Sequence, residues 1–313
     1  MTQSTCVLIG APVDSGKQRK GCLMGPDAFR VAGLGSALAD LGHHVVDKGN
    51  LRAKDIQDAK GPEHLVDLAE TVGWTEAIAD AAKDAFDLGH PVFLGGDHAL
   101  SLGSGLAATR YAAEQSRPLF VLWLDAHSDF HTPYTTQSGN LHGTPLAYLT
   151  GRAGFDAFPK MTSPVPDENV CILGLRSVDG PERTALQSSK VAYHDMRAID
   201  ETGISAPLSA FLNKVKAANG LLHVSLDVDF LDPMIAPAVG TTVPGGATMR
   251  EAHLVMEILS DSGLMTSLDL VELNPFLDDR GRTAQIMVDL AASAFGRRVF
   301  DRPTHSFSLE LPR

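Results

Sequence analysis

Short apolar runs alternate with longer segments of helical periodicity along most of the chain. A run such as Leu119–Leu124 is apolar throughout, which is typical of a strand buried on both faces of a parallel sheet. The pattern predicts strands at Cys6–Pro12, His43–Asp47, Pro91–Gly95, Leu119–Leu124, Asn169–Gly174, Val191–His194, Leu221–Leu226 and Ser267–Glu272. Apolar residues at near-helical spacing predict helices at Glu63–Leu88, Ile204–Ala218, Met249–Leu259 and Thr283–Phe295.

Eight strands separated by helical segments predict an α/β fold. We expect three α/β/α layers around a central, mostly parallel eight-stranded sheet with right-handed crossovers. The chain has no internal repeat and no low-complexity linker, and its Pro- and Gly-rich stretch Asp232–Gly246 fits a loop better than a domain boundary. We therefore expect a single domain over residues 1–313.

Polar side chains with metal-binding chemistry follow two of the predicted strands. They are Asp125, His127 and Asp129 after one strand, and Asp227 and Asp229 after another. Alternate residues of an extended chain point to one side, so each cluster would present its ligand atoms in one direction. Four carboxylates crowded at buried strand ends would repel one another, and multivalent cations would remove that cost. The pattern predicts a metal centre with two cations.

His98, in Gly95-Gly-Asp-His98 after a third strand, completes a set of six candidate ligands. The set is rich in oxygen and has no thiolate, which favours Mn, Mg, Fe or Co over a structural zinc site. Asp125 and Asp227, each first in its cluster, are well placed to bridge two ions. A water molecule that bridges two cations loses a proton near neutral pH and becomes a nucleophile. The predicted reaction class is hydrolysis.

Composition narrows the classes of partner. The 313 residues carry a formal net charge of −12, which argues against a nucleic-acid surface and fits a cationic or neutral substrate. No apolar run approaches the roughly 20 residues that cross a membrane. The three cysteines show no C-x-x-C spacing, so we interpret them as small buried residues in a reducing compartment. Because the N-terminal segment has no signal-peptide pattern, we expect a cytoplasmic protein.

Four motifs resemble those of the ureohydrolases, and those of arginases of the bacterial type most closely. They are Gly95-Gly-Asp-His98, Asp125-Ala-His-Ser-Asp129, Ser138-Gly-Asn-Leu-His-Gly143 and Ser225-Leu-Asp-Val-Asp-Phe-Leu-Asp-Pro233. The resemblance runs from Ile9 to Phe295, and Thr132–His142 is the segment that points to arginases. It implies the arginase/deacetylase-like fold and two Mn²⁺ ions per subunit. It also implies cleavage of L-arginine to L-ornithine and urea by a metal-bridging hydroxide.

The resemblance implies a role for each matching residue. One Mn²⁺ would be held by His98, Asp125, Asp129 and Asp227, and the other by Asp125, His127, Asp227 and Asp229. Asp129 would pass a proton to the leaving amine, His142 would shuttle protons, and Glu272 would pair with the guanidinium. Thr241 would contact the guanidinium beside Glu272. The amino-acid head group of the substrate would be bound by His131, Ser138, Asn140, Asp179 and Glu182.

Two positions depart from the family pattern. His131 stands where arginases usually carry Asn at a contact to the substrate carboxylate, and Ser177 stands where they usually carry Asp near the amine. A histidine still donates a hydrogen bond to a carboxylate, whereas the loss of Asp weakens selection for an α-ammonium. The departures leave the chemistry intact and the exact guanidino substrate open.

Other functions stay open on the sequence. The enzyme could act on another guanidino compound, such as N-hydroxyarginine or 4-guanidinobutyrate. It could be a mononuclear zinc amidohydrolase of the deacetylase type, although His98 and Asp129 indicate a second ion. It could also be a non-catalytic binding protein of this fold. Arg250 and Glu251 match residues that form salt bridges between subunits, which implies a homotrimer or homohexamer. The alternative interpretation is an ordinary exposed pair on one helix.

Overall fold

A central sheet of eight strands organises the residues that the computed structural model describes, which are 3–298 and 300. The strands are β1 (Thr5–Ala11), β2 (His44–Asn50), β3 (His90–Gly95), β4 (Leu119–Leu124), β5 (Val170–Leu175), β6 (Ala192–Asp195), β7 (Leu221–Asp227) and β8 (Met265–Val271). They lie in the order β2-β1-β3-β8-β7-β4-β5-β6, and their ladders are parallel. The predicted α/β fold is confirmed, with strand bounds that shift by a few residues. The outermost residues of the predicted domain, 1–2 and 301–313, lie outside the described residues.

Helices cover both faces of this sheet. They are α1 (Gly25–Val31), α2 (Leu34–Asp40), α3 (Leu68–Leu88), α4 (Leu100–Glu114), α5 (Pro145–Leu149), α6 (Gly180–Gln187), α7 (Met196–Thr202), α8 (Ser205–Ala217), α9 (Met249–Ser262) and α10 (Arg282–Ala294). The helix predicted at Glu63–Leu88 begins only at Leu68. Asp67, directly before it, has a φ of 44°, a left-handed conformation that a helix interior does not adopt.

Two hydrophobic layers separate the helices from the sheet. In β4, Leu122 and Leu124 belong to the layer beneath α1, α2 and α8 to α10, whereas Val121 and Trp123 belong to the layer beneath α3 to α5. Successive side chains of a strand point to opposite faces, so a uniformly apolar strand supplies both layers. The strands β4, β5 and β7 are buried along their whole length, which confirms the three-layer prediction.

The three cysteines are buried, as predicted from the sequence. Cys6, Cys22 and Cys171 are buried free thiols. Burial raises the pKa of Cys6 and Cys171 to about 12, so both thiols stay protonated. Among the helices that the structure describes, none combines the length and the apolar character of a membrane span.

Candidate active site

Polar residues that follow β3, β4, β7 and β8 meet at the carboxyl edge of the sheet. These four strands are neighbours in the sheet, so their ends lie side by side although they are far apart in sequence. This edge is where ligands bind in open α/β sheets. The six predicted metal ligands lie here: His98, Asp125, His127, Asp129, Asp227 and Asp229. All of them except His127 are buried.

One ring nitrogen of His98 faces three carboxylates. His98 Nδ1 lies 3.1 Å from Asp125 Oδ2, 3.0 Å from Asp129 Oδ2 and 3.0 Å from Asp227 Oδ2. A single N–H can satisfy only one of these oxygens well, and the buried Asp129 Oδ2 has no hydrogen bond. A cation placed among these atoms would supply the missing partner.

A second group of ligands lies around His127. Its Nδ1 is 3.0 Å from Asp229 Oδ2 and 3.5 Å from Asp125 Oδ1. The ligands form two groups: one contains His98, Asp125 and Asp227, and the other contains Asp125, His127 and Asp229. Within each group the potential ligand atoms lie within 4.8 Å of one another. Asp125 belongs to both groups and turns one oxygen toward each imidazole. This is the placement expected of a bridging ligand.

Neighbouring side chains orient the first of these imidazoles. His98 Nε2 lies 2.8 Å from Ser225 Oγ, which leaves Nδ1 directed at the carboxylates. The ring stacks on Trp123 with centroids 4.3 Å apart. Trp123 Nε1 in turn donates a hydrogen bond to Asp125 Oδ2 over 3.0 Å. The apolar strand β4 therefore holds both a ligand and its histidine neighbour in place.

The ligands converge through turns, which differs from the extended geometry expected from their two-residue spacing. The first cluster lies beyond the end of β4, and Asp129 has a left-handed φ of 46°. Asp227 is the last residue of β7, whereas Asp229 lies in the short 3-10 helix Val228–Phe230. A left-handed non-glycine residue costs about 1–3 kcal/mol and persists only where its surroundings enforce it. The placement at strand ends was predicted correctly, but the local conformation was not.

The electrostatics of the cluster favour cation binding. Burial and the charge of Asp125 raise the pKa of Asp129 to about 6. Burial and the charges of Asp229 and Asp125 raise the pKa of Asp227 well above its ordinary value. Burial alone would lower the pKa of His127, but the carboxylates of Asp229 and Asp125 raise it to about 12. These raised pKa values indicate an excess of negative charge in the cluster. Bound cations would neutralise that charge, so the residues fit a metal centre.

A cavity of about 390 Å³ opens onto this cluster. Its wall contains the predicted substrate-binding residues His131, Ser138, Asn140, Asp179, Glu182 and Thr241, together with His142 and Ser177. It also contains Thr136, Gln137 and Gly143, which belong to the quoted segments but were assigned no role from the sequence. Thr241 Oγ1 donates to Asp229 Oδ2 over 3.4 Å, so it contacts a candidate metal ligand.

His131 lies against Asp179 and Glu182, two acids of the predicted head-group site. Its Nε2 is 3.2 Å from Asp179 Oδ2 and 3.6 Å from Glu182 Oε2. Glu182 is buried and accepts hydrogen bonds from Ser128 Oγ over 2.6 Å and from Phe130 N over 3.1 Å. The histidine at this departure from the family pattern therefore interacts with the amine side of the predicted head-group site.

Glu272 is buried behind the cavity wall. It is the first residue after β8 and has a left-handed φ of 67°. Its Oε1 accepts a hydrogen bond from His98 N over 2.9 Å and lies 3.0 Å from His142 Nδ1. Its Oε2 is ion-paired with Lys17. Nothing in the sequence distinguishes this buried lysine from Arg19 and Lys20 of the same loop, which are exposed.

Known proteins match this chain over almost its full length. A family model described as Arginase family matches residues 4–296. An arginase from Brucella melitensis is 59% identical over 304 residues, which are 96% of this chain and 99% of that protein. An arginase from Bacillus subtilis is 38% identical over 299 residues, which are 94% of this chain and 99% of that protein. The solved structure of an arginase from Bacillus caldovelox aligns with a TM-score of 0.88 at 34% identity, covering 95% of this chain and 100% of that one.

Proposed function

Since the chain belongs to the arginase family, we propose that it hydrolyses the guanidinium group of L-arginine to L-ornithine and urea. Family membership makes it a ureohydrolase that acts on a guanidino C–N bond. The observation that carries the choice of substrate is the cavity. It joins the two ligand groups that share Asp125 to a wall of residues suited to an amino-acid head group.

Two Mn²⁺ ions per subunit are the proposed cofactors. The first would be held by His98, Asp125, Asp129 and Asp227, and the second by Asp125, His127, Asp227 and Asp229. The oxygen-rich donor set and the unpartnered Asp129 Oδ2 support this assignment. When bound, such ions supply a water molecule acidic enough to act as a nucleophile near neutral pH.

The catalytic steps assigned to the chain are proton transfers and the orientation of the guanidinium. Asp129, whose pKa is raised to about 6 by burial and by Asp125, would accept a proton and pass it to the leaving amine. His142 lines the cavity and lies against Glu272, so it would exchange protons between the site and solvent. Glu272 would pair with the planar guanidinium after the His142 contact opens.

The head group of the substrate would be held by polar residues of the cavity wall. Ser138 and Asn140 would donate to the carboxylate, while Asp179 and Glu182 would attract the α-ammonium. His131, whose Nε2 lies 3.2 Å from Asp179 Oδ2, would add a hydrogen-bond donor to the head-group site.

A homo-oligomer and a cytoplasmic location stay predictions. Within the chain, Glu251 Oε2 accepts a hydrogen bond from Thr248 N over 2.7 Å and so caps α9. Arg250 lies 3.7 Å from Glu257 and is largely exposed. We propose that Arg250 pairs with an acid of a neighbouring subunit, in the homotrimer or homohexamer that the family resemblance implies.

One observation favours a second substrate. Ser177 lines the cavity at the position where a negative charge would select for an α-ammonium. A guanidino acid without that amine, such as 4-guanidinobutyrate, would lose less binding here than in a site with Asp.

A substrate panel tests the proposal. Urea release by the Mn²⁺-loaded protein should give the highest kcat/KM with L-arginine, compared with N-hydroxyarginine and 4-guanidinobutyrate. Higher kcat/KM for 4-guanidinobutyrate would assign the second substrate instead. Metal analysis by mass spectrometry should find two ions per chain in the parent and fewer in Asp229→Ala. One zinc ion per chain would indicate the mononuclear amidohydrolase.

A further inference from the structure

Lys17 is a buried cation with no role in the proposed hydrolysis. It is 2% exposed, and its Nζ is ion-paired with Glu272 Oε2 and lies 3.0 Å from Cys22 Sγ. Burial alone would lower the pKa of the ammonium, but the negative charges of Glu272 and Asp97 outweigh that effect and raise it. Lys17 is therefore a permanent positive charge in the interior, directly beside the proposed guanidinium partner.

The carboxylate of Glu272 has a partner at each oxygen. Oε1 accepts from His98 N and faces His142, while Oε2 is occupied by Lys17. The backbone is held as well, since Glu272 N donates to Gly96 O over 2.9 Å. A guanidinium can pair with this carboxylate only where one of these contacts gives way.

The cavity determines which contact gives way. Its wall contains His142 but neither Glu272 nor Lys17. A guanidinium that enters through the cavity therefore reaches Glu272 at the oxygen that His142 faces, and Lys17 keeps the other oxygen. The substrate cation then shares one carboxylate with a resident ammonium.

We propose that Lys17 determines specificity by limiting the affinity of the site for guanidinium cations. The inference rests on the proposed role of Glu272. The carboxylate and the ammonium together carry no net charge, and two cations beside one carboxylate repel each other in a medium of low dielectric. Selection of the guanidinium then depends on hydrogen-bond geometry more than on charge. Lys17 is a positioning residue, since it acts through Glu272.

The test compares Lys17→Gln and Lys17→Met with the parent at mildly alkaline pH. The Kd of guanidinium ion, measured by calorimetry, and the KM of L-arginine should both fall by about tenfold. The kcat should change less than about twofold, because the groups that transfer protons are untouched. Lys17→Arg, which keeps the charge, should restore the parent Kd and KM.

Lys20→Gln is the matched control, since it removes the same charge from the same loop. Lys20 is ion-paired with the exposed Asp67 and has no contact with Glu272. The Kd of guanidinium ion and the KM of L-arginine for Lys20→Gln should equal those of the parent. Unchanged or weaker guanidinium binding by the Lys17 variants, with melting curves that show them folded, would overturn the proposal.

A measurement on the parent covers the case in which no neutral Lys17 variant folds. Addition of guanidinium ion should shift the ¹⁵N resonance of the Lys17 ammonium, because the guanidinium and the ammonium would share the Glu272 carboxylate. A resonance that does not move at saturating guanidinium would overturn the proposal. Failure of the proposed function looks different. The parent would bind guanidinium ion and respond to Lys17 substitution, yet release no urea from any guanidino compound.

Discussion

At the scale of single residues, the candidate site concentrates charge on buried carboxylates at the bottom of a cavity. Asp125, Asp227 and Asp229 are each 2% exposed or less. Each directs one oxygen at a backbone N–H, from His127 over 2.6 Å, from Asp229 over 2.8 Å and from Ala126 over 3.0 Å. These bonds fix the carboxylates without cancelling their charge. The remaining oxygens are therefore oriented for a cation before one binds.

Asp129→Asn should separate proton transfer from metal binding. The amide keeps one ligand oxygen but cannot carry the proton, so kcat should fall by roughly 10²–10⁴-fold while the KM of L-arginine changes little. Steady-state kinetics and metal analysis together check this. Two ions per chain with the lower kcat are expected, and a kcat within tenfold of the parent would contradict the assignment.

Ser177→Asp should sharpen selection for the α-ammonium. The new carboxylate would lie in the cavity wall near Asp179, so the ratio of kcat/KM for L-arginine to that for 4-guanidinobutyrate should rise by roughly 10–100-fold. Ser163→Asp adds the same charge at an exposed position outside the cavity wall and should leave the ratio unchanged. An equal response in both variants would show that Ser177 does not face the amine.

At the scale of elements, α4 shows why some helices were not predicted. Most of its residues are buried, including Gly103 and Gly105, so the helix has almost no polar face to produce an amphipathic pattern. The glycines are explained by packing. A Cβ on Gly103 would lie 2.7 Å from Ile78 Cβ and 2.9 Å from Thr75 O, both on α3. Close contact between α3 and α4 thus requires a residue without a side chain.

Gly103→Ala should destabilise the protein despite the higher helix propensity of alanine. The methyl group would force α3 and α4 apart, so the free energy of unfolding should fall by about 1–3 kcal/mol. Gly35→Ala in α2 is the control, because its Cβ would have ordinary contacts of 3.9 Å. That change should raise the free energy of unfolding by about 0.5–1 kcal/mol. Urea unfolding curves check both, and a stabilised Gly103→Ala would contradict the packing explanation.

At the scale of the whole molecule, the order of the strands assembles the site. The ends of β3, β8, β7 and β4 lie side by side, so His98 N can donate to Glu272 although 174 residues separate them. The same assembly brings buried acids together, and their repulsion opposes folding when no cation is bound. Metal binding and global stability should therefore be coupled.

Removal of the metal should lower the melting temperature, and the loss should grow with pH. Without metal, Asp129 with its pKa raised to about 6 and His127 with its pKa raised to about 12 contribute stability while protonated. Asp129 loses that contribution as pH rises from its unfolded pKa toward about 6, and His127 loses its own from about 6.5 toward about 12. The metal-free protein should therefore become less stable as pH rises.

Metal binding should instead stabilise the protein more as pH rises, because the ligands must lose their protons to bind the metal. Melting curves with Mn²⁺ and with a chelator, recorded from about pH 6 to about pH 9, should show a metal-induced gain in melting temperature that increases with pH. Calorimetry in buffers of different ionisation enthalpy should show proton release on metal binding. A gain that is independent of pH would contradict the protonated cluster.

The predictions from sequence succeeded where a local pattern of apolar and acidic residues follows directly from burial in the sheet. Uniformly apolar runs marked the buried strands, and acids directly after such runs marked their carboxyl ends. The pattern failed where a tertiary contact overrides the local chain. Asp129 and Glu272 adopt left-handed conformations rather than extended ones, and the left-handed Asp67 delays the start of α3. No local rule places a lysine of a basic loop in the interior, as happens at Lys17.

The sequence by itself determined the class of fold, the strands and the set of groups able to bind cations, because hydrophobic periodicity and clustered carboxylates have physical consequences that are independent of the rest of the chain. Only the tertiary structure decided how those groups face one another. It directed two oxygens of Asp125 to different histidines, placed His131 against Asp179 and paired Lys17 with Glu272. Such contacts join residues far apart in sequence, and they depend on the sheet order that packing selects.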